Sequence, residues 1–141
     1  MTELNDFLCF KMRAAMKKID KNLGQMLEQY GISIPQSFIL KTLMEENGIT
    51  LKEIGNRTLI DSSSMTVLID KLEKDDLVER KLDAQDRRAI RIYITEKGRN
   101  LASEVIAIAA DFNIRLRQLI SNENQQEVFL KGIDRIINGL D

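Results

Sequence analysis

The sequence predicts a mainly α-helical protein with one small β-hairpin, and three observations support that prediction. Apolar residues recur at helical spacing over long stretches at both ends of the chain. Two shorter helical patterns lie in the middle, each preceded by a residue that caps helices well. Two β-rich runs follow them directly. These observations place two short helices and a hairpin between long terminal helices.

The first short helix is expected to begin at Thr50, because Thr50 and Glu53 form a Thr-x-x-Glu capping box that satisfies two amides of the first turn. Ile54 gives this helix an inward face. Gly55 permits another backbone to approach closely, as the crossing helices of a helix-turn-helix require. A turn at Leu59-Ile60 is expected to end the helix.

Asp61 offers an N-cap carboxylate to the second short helix. Its buried stripe consists of apolar residues at spacings of three, four and seven: Met65, Leu68, Ile69 and Leu72. The opposite face carries small hydroxyl residues, then an aliphatic and a basic residue: Ser62, Ser63, Ser64, Thr66, Val67 and Lys71. Hydroxyls at a helix N-terminus allow close approach to phosphates and can hydrogen-bond base edges in a major groove. Taken alone, the serines fit capping and solvation better.

A β-hairpin is expected next, with strands at Val78 to Leu82 and Ala89 to Ile94. Its strands and loop carry five basic residues, Arg80, Lys81, Arg87, Arg88 and Arg91, and the loop carries the acidic residues Asp83 and Asp86. Arginines at the tip of an exposed hairpin suit the narrow minor groove of A·T-rich DNA. The alternative is a solvated basic loop, but the position directly after two short helices favours a winged helix-turn-helix.

Three segments carry a resemblance to a known family: Leu77-Val78-Glu79-Arg80, Asp83-Ala84-Gln85-Asp86-Arg87-Arg88 and Ile94-Thr95-Glu96-Lys97-Gly98. In order and spacing, and with helices in the right places, nearly the whole chain resembles the MarR family of bacterial transcription regulators. The resemblance implies a recognition helix in the major groove of double-stranded DNA. It also implies that Arg88 reaches the minor groove, supported by Asp86.

The resemblance identifies candidate DNA-binding residues on the helix and on the hairpin. They are Ser62, Ser63, Ser64, Thr66, Val67 and Lys71, with Lys71 as a phosphate contact, and Arg87 and Arg88. Two positions depart from the family pattern. Asp76 stands where relatives usually have the glycine that ends the recognition helix, and Ala84 where many have proline. Because aspartate tolerates the left-handed conformation better than most residues, we expect the geometry to survive with some loss of stability.

Composition excludes several classes of protein. A chain of 141 residues suits one domain or one protomer, and a net charge of -1 argues against a general polyanion binder. The chain has no histidine, the commonest general base and metal ligand, so we expect no enzyme, metal site or cofactor. The single cysteine fits a reducing compartment, and the N-terminal residues lack the pattern of a signal peptide or membrane span. A cytoplasmic protein is expected.

Long amphipathic helices are expected over Leu4 to Tyr30, from Thr95 to about Leu119, and over Glu123 to Asn138. A first helix this long on a short chain should find part of its packing partner on a second subunit. In the resembled family the terminal helices interlock across a two-fold axis, which implies a homodimer and a pseudo-palindromic DNA site. The expected organisation is one protomer, 1–141, in which a DNA-binding region, 34–98, lies between dimerisation helices, 1–30 and 99–141.

Cys9 resembles in position the sensing cysteine of the organic-hydroperoxide-responsive branch of the family. That branch uses tyrosines to hold the sulfur, whereas Tyr30 and Tyr93 lie far from Cys9 in this sequence. A lone cysteine on an amphipathic helix is usually a small buried hydrophobe, which is the expectation here.

The resemblance thus implies a transcription regulator, expected to be a repressor released by a small-molecule effector. Two alternatives stay open: a repressor that senses redox state through Cys9, and a winged-helix module that associates with an acidic protein. A thiol enzyme is disfavoured, because no histidine is present to activate Cys9.

Overall fold

The computed structural model describes the whole chain, residues 1–141, as two compact units, residues 1–106 and 107–141. The α-helices are α1 (Leu8–Glu28), α2 (Ile34–Glu45), α3 (Leu51–Thr58), α4 (Ser62–Lys74), α5 (Glu96–Ile120) and α6 (Glu123–Gly139). The strands are β1 (Ile49–Thr50), β2 (Val78–Leu82) and β3 (Ile90–Ile94). The mainly α-helical fold with a small β-wing is confirmed.

Side-chain caps begin four of the helices, because each supplies an acceptor for an amide that has no partner within the helix. Reciprocal capping boxes start α2 at Ser33 and α3 at Thr50. Single side-chain caps start α4 at Asp61 and α6 at Asn122. These boundaries follow from contacts only three residues apart, which is why the sequence reveals them.

The sheet has three antiparallel strands in the order β1-β3-β2, one strand more than the predicted hairpin. β2 and β3 pair from Val78 opposite Ile94 to Leu82 opposite Ile90. β1 is only two residues long and pairs Ile49 with Ile92, so it carries no periodic signal in the sequence. We call β2, β3 and the loop of residues 83–89 the wing.

The turn before β1 fixes the wing against the end of α2. Gly48 has a φ of 71°, and a Cβ at this position would lie 2.7 Å from Cε1 of Tyr93. The Gly48 amide donates to the Ile92 carbonyl (3.0 Å), and the Asn47 side-chain oxygen accepts from the Ile94 amide (2.9 Å). A larger residue at Gly48 would therefore push the Tyr93 ring aside and strain the left-handed backbone.

The core of the first unit joins α2, α3, α4, the sheet and the start of α5. Its fully buried members are aliphatic side chains and one methionine, including Ile39, Leu43, Ile54, Met65, Ile69, Leu72, Ile92 and Val105. Gly98 lets α5 approach the wing, since a Cβ there would overlap the carbonyl oxygen of Leu77. The core thus holds the helix-turn-helix and the wing in one unit.

The N-terminal segment differs from the single helix expected from Leu4 to Tyr30. A 3₁₀ turn spans Leu4–Asp6, Phe7 follows in an extended conformation, and α1 runs from Leu8 to Glu28. Local hydrogen bonds close this first turn: the Glu3 amide donates to the Asp6 carboxylate (3.1 Å), and the Asp6 amide donates to the Glu3 carbonyl (2.9 Å). No helix of the chain is both long enough and apolar enough to cross a membrane.

Candidate nucleic-acid interface

The turn between α3 and α4 sets the crossing of the two helices. Leu59 ends α3 in the left-handed conformation, with φ 60°, and its amide donates to the Gly55 carbonyl. A Cβ on Gly55 would lie 3.3 Å from the Ile60 carbonyl oxygen, so the predicted close backbone approach is present. The two helices form the expected helix-turn-helix.

The start of α4 is organised by the carboxylate of Asp61. It accepts hydrogen bonds from the Ser64 amide (2.8 Å), the Ser63 hydroxyl (2.7 Å) and the Ser64 hydroxyl (2.9 Å). The Ser63 hydroxyl, then the amide and hydroxyl of Ser64, lower the pKa of Asp61 to about 2. The capping interpretation therefore accounts for two of the three serines.

The remaining positions of this face are exposed. The Ser62 hydroxyl makes no hydrogen bond within the chain, and the Thr66 hydroxyl donates to the Ser62 carbonyl at 3.2 Å. Val67 is 69% exposed. Ser62, Thr66 and Val67 thus present a hydroxyl, a methyl-bearing hydroxyl and an isopropyl group to solvent.

Lys71 is oriented differently from the rest of the set. Its ammonium lies 3.5 Å from the Gly31 carbonyl oxygen, in the turn between α1 and α2. The side chain also lines a cavity of about 720 Å³ between α1, the start of α2 and α4. The cavity wall is mainly apolar, with Met16, Ile34, Pro35 and Phe38, and includes the carboxylates of Asp20 and Glu28.

The end of α4 accommodates the departure at Asp76. Asp76 has a φ of 59°, its amide donates to the Glu73 carbonyl, and the Leu77 amide donates to the Leu72 carbonyl. This pair of bonds is the Schellman ending usually built with glycine. The expectation that aspartate preserves the geometry is confirmed.

The tip of the wing is a turn with Arg87 and Arg88 at its centre, closed by the Ala89 amide donating to the Asp86 carbonyl (3.0 Å). Both arginines are exposed, and neither guanidinium has a partner within the chain. Asp86 acts on Arg88 through the main chain: its carboxylate accepts from the Arg88 amide at 3.0 Å. Its support of Arg88 is therefore a backbone contact and not an ion pair.

The other basic residues of the wing are neutralised, which the sequence did not indicate. Arg80 forms ion pairs with Asp70 and Glu73 of α4, and Lys81 lies 3.6 Å from Glu79 and over the Tyr93 ring. Arg91 donates to Asp83 (2.7 Å) and to the Gly48 carbonyl (2.8 Å). The Gln85 amide and then Arg91 lower the pKa of Asp83. Among the basic residues of the wing, only Arg87 and Arg88 have no acidic partner.

Cys9 lies at the second position of α1 and is exposed. The expectation of a buried cysteine is wrong for the single chain, because α1 buries only Leu27. No group of three or more His, Cys, Asp or Glu side chains is close enough to hold a metal ion.

A helix-turn-helix with an exposed second helix, followed by a wing with two free arginines, defines a winged-helix DNA-binding protein. The chain belongs to the SarA/Rot family of transcriptional regulators, whose family model matches residues 21–105. It is therefore a DNA-binding transcription regulator and not an enzyme.

Individual relatives agree with this family. The chain is 30% identical over 119 residues to the transcriptional regulator SarZ of Staphylococcus aureus, covering 82% of this chain and 80% of SarZ. It is 35% identical over 102 residues to the transcriptional regulator TtmR of Methylorubrum extorquens, covering 72% of this chain. The chain matches only 52% of the length of TtmR.

The same fold occurs in solved structures of MarR-family regulators, so the predicted MarR-like winged helix is confirmed. A crystal structure of S. aureus MepR in complex with DNA superimposes with a TM-score of 0.89 at 23% identity. The match covers 95% of this chain and 98% of that one.

Proposed function

We propose that the chain is a sequence-specific regulator of transcription, a repressor that binds a pseudo-palindromic operator as a homodimer. The observation behind this proposal is the pair of unpartnered guanidinium groups, Arg87 and Arg88, at the tip of a wing whose other basic side chains have acidic partners. Free cations at a hairpin tip are what a phosphate-lined groove attracts.

We assign separate roles to α4 and to the wing. Ser62, Thr66 and Val67 face base edges in the major groove, where hydroxyls hydrogen-bond bases and an aliphatic group meets thymine methyls. Ser63 and Ser64 lie beside them and shape the start of α4 through Asp61. Arg87 and Arg88 enter the minor groove, and the backbone contact of Asp86 fixes the conformation of Arg88. Lys71 can reach a phosphate only after leaving the Gly31 carbonyl, so we rank it last.

The proposed homodimer rests on apolar surface that the chain itself leaves uncovered. α6 has no buried residue, and Val128, Phe129, Ile137 and Leu140 are between 49% and 73% exposed. On α1 and the turn before it, Leu4, Phe7, Leu8 and Met16 are exposed in the same way. Apolar faces of this extent are normally covered by a partner. A second copy of the chain is the partner that we propose.

A small-molecule effector is proposed to act through the cavity that Lys71 lines. This cavity lies between α1 and the start of α2, with Lys71 of α4 on its wall, so we infer that an occupant that separates α1 from α2 also displaces α4. Such a ligand releases DNA only if it binds the DNA-free conformation more tightly. We place the protein in the cytoplasm, where a bacterial chromosome is accessible.

The test is operator binding by Arg88→Ala. The substitution should weaken binding by about 1 to 3 kcal/mol and lower the slope of log affinity against log salt by about one, because one charged groove contact is lost. Fluorescence anisotropy with a duplex obtained by in vitro selection gives both quantities. Arg117→Ala is the matched control, since Arg117 is an exposed arginine of α5 without a partner.

Binding by Arg88→Ala that equals the parent's at every salt concentration would refute the wing assignment. Association with an acidic protein instead of a duplex would support the winged-helix association module. Unchanged helical circular dichroism in both variants establishes that the comparison concerns binding and not folding.

A further inference from the structure

Arg80 of β2 lies between two carboxylates of α4. One edge of its guanidinium donates to Asp70, and Nη1 donates to Oε1 of Glu73 at 2.8 Å. The second oxygen of Glu73 accepts from the Arg80 backbone amide at 3.2 Å. The Arg80 side chain is 24% exposed, less than either acid. We call these three residues the Arg80 bracket.

The geometry of the Arg80 bracket suits it to hold β2 in a fixed orientation against α4. Asp70 and Glu73 are three residues apart, so they lie on one face of α4. The planar guanidinium meets both through a rigid fork, which fixes an orientation more strongly than a single flexible ammonium would. Because Glu73 binds the side chain and the backbone of Arg80, the strand itself is held, and not only the end of a side chain.

The bracket also lies on the path from α4 to the wing tip. Arg80 pairs with Ile92 in the middle of the β2–β3 ladder. The same ladder ends at Leu82 opposite Ile90, directly before the loop that carries Arg87 and Arg88. A rotation of β2 against α4 would therefore be amplified at the two arginines.

We propose that Arg80 is a positioning residue for DNA binding: it fixes the angle between α4 and the wing so that both reach their grooves together. This inference rests on the proposed assignment of α4 and the wing as the DNA-contacting elements. When two contact sites are held in register, the second contact forms at a high effective concentration once the first is made. Without the bracket, the wing contact must also overcome its own ordering entropy.

A direct contact of Arg80 with a phosphate is the competing role for the residue. In the structure, two carboxylates already compensate its one positive charge. Binding of a phosphate would have to break these ion pairs and leave both acids facing the DNA. The two roles differ in a measurable quantity, since a phosphate contact releases a counterion and a positioning contact does not.

The experiment is a double-mutant cycle with a duplex obtained by in vitro selection, read by fluorescence anisotropy over a range of salt concentrations. The proteins are the parent, Arg80→Met, Arg88→Ala and the variant with both substitutions. Arg80→Met should weaken binding on the order of tenfold, and in the Arg88→Ala background it should leave the salt slope unchanged. Arg88→Ala should cost clearly less in the Arg80→Met background than in the parent, because the wing is no longer held in place.

Two further variants separate positioning from loss of stability. Arg80→Lys keeps the charge and reaches one carboxylate, so it should fall between the parent and Arg80→Met. Arg57→Met is the matched control: Arg57 joins α3 to Glu45 and Glu46 at the end of α2, with distances of 2.9 and 3.0 Å. Its loss removes a comparable ion-pair bracket away from the wing and should leave the cost of Arg88→Ala unchanged.

The outcomes distinguish this inference from the function on which it rests. If Arg88→Ala weakens binding and its cost is the same in both backgrounds, the positioning role is wrong while the wing assignment stands. A salt slope that Arg80→Met lowers by about one in the Arg88→Ala background would show a phosphate contact instead. If Arg88→Ala binds like the parent, the wing assignment and the role of Arg80 both fail. Should Arg80→Met not fold, the same cycle with Arg80→Lys decides the question.

Discussion

At the scale of single residues, Asp61 caps the N-terminus of α4, where the face proposed to contact DNA begins. Its carboxylate satisfies one amide and two hydroxyls of the first turn of α4. A negative charge at a helix N-terminus is also favoured by the helix dipole. The folded chain thus stabilises the ionised carboxylate relative to the protonated acid, which lowers the pKa of Asp61 to about 2.

This lowered pKa predicts a pH dependence for Asp61→Asn. Because the folded pKa lies below the ordinary value of 3.8, the contribution of the charge is present above about pH 4 and is lost as the pH falls towards 2. The parent should therefore have the higher melting temperature at pH 6, and the difference should vanish near pH 2. Thermal unfolding followed by circular dichroism measures both.

The control for this series is Asp134→Asn, which removes an exposed carboxylate that makes no hydrogen bond or ion pair. Its melting temperature should follow the parent's across the range. Parallel curves for Asp61→Asn and the parent from pH 6 to pH 2 would contradict the proposed contribution of the charge.

Two other residues of the helix-turn-helix, Leu59 and Val67, are apolar and exposed. Leu59 is 89% exposed in a left-handed conformation, where glycine would be less strained. Val67 is exposed on the face of α4 that carries Ser62 and Thr66. Local departures from the preferred chemistry of turns and surfaces concentrate here, on the helix-turn-helix, as expected of a functional surface.

At the scale of elements, the helices divide into two kinds. α2, α3 and α4 bury their apolar stripes within the first unit, whereas α6 buries none of its residues. The hydrophobic effect makes this second arrangement costly for an isolated chain in water. The difference between the two kinds of helix is the basis for proposing a homodimer.

The double variant Phe129→Glu, Ile137→Glu tests this proposal. Two charges on the apolar face of α6 should raise the dimer dissociation constant by roughly two orders of magnitude or more, because buried charges without partners oppose association. Sedimentation equilibrium should show a dimer for the parent and a monomer for the variant at micromolar concentration. The helical content in circular dichroism should fall only slightly.

The matched control is Gln125→Glu, Asn138→Glu, which adds the same charge to exposed polar positions of the same helix. This control should stay dimeric. A dimer of undiminished affinity in the Phe129, Ile137 variant would exclude α6 from the interface, and a monomeric parent would overturn the homodimer itself.

At the scale of the whole molecule, binding at the cavity and binding to DNA should be linked. If an occupant of the cavity favours a DNA-free conformation, the occupant and the duplex must lower each other's affinity for the protein by the same factor. We expect this reciprocity for the amphipathic dye 1-anilinonaphthalene-8-sulfonate. Gly24→Leu should weaken dye binding, because Gly24 lines the cavity and a Cβ there would make only an ordinary contact, 4.0 Å from Cδ1 of Ile34. Dye fluorescence and duplex anisotropy measure the two affinities.

The control for cavity filling is Gly24→Ala, which similarly removes the helix penalty of glycine but adds only one methyl group. Its dye affinity should stay near the parent's. Independent binding of dye and duplex would refute the coupling.

A modest dose of cumene hydroperoxide tests the redox alternative, because Cys9 is exposed to the reagent. Release of the duplex from the parent, but not from Cys9→Ser, would favour that alternative.

The sequence by itself determined the order of the main elements and where α3 and α4 begin. The capping residues Thr50 and Asp61, and the alternation in β3, act between residues close in the chain. These contacts form wherever the segment is placed, so the pattern of residues is sufficient to reveal them. The same reasoning explains why the helix-turn-helix and the wing could be predicted.

Only the tertiary structure decided which charges of the wing are free. Arg80 and Asp70 are 10 residues apart, and Arg91 and Gly48 are 43 residues apart. No local pattern reveals such pairings, since they depend on how α4 and the α2–β1 turn pack against the sheet. Packing likewise turned Lys71 towards Gly31, made the support of Arg88 by Asp86 a backbone contact and left Cys9 exposed. A residue's charge is therefore set by the sequence, whereas its availability to a partner is set by the long-range contacts that compete for it.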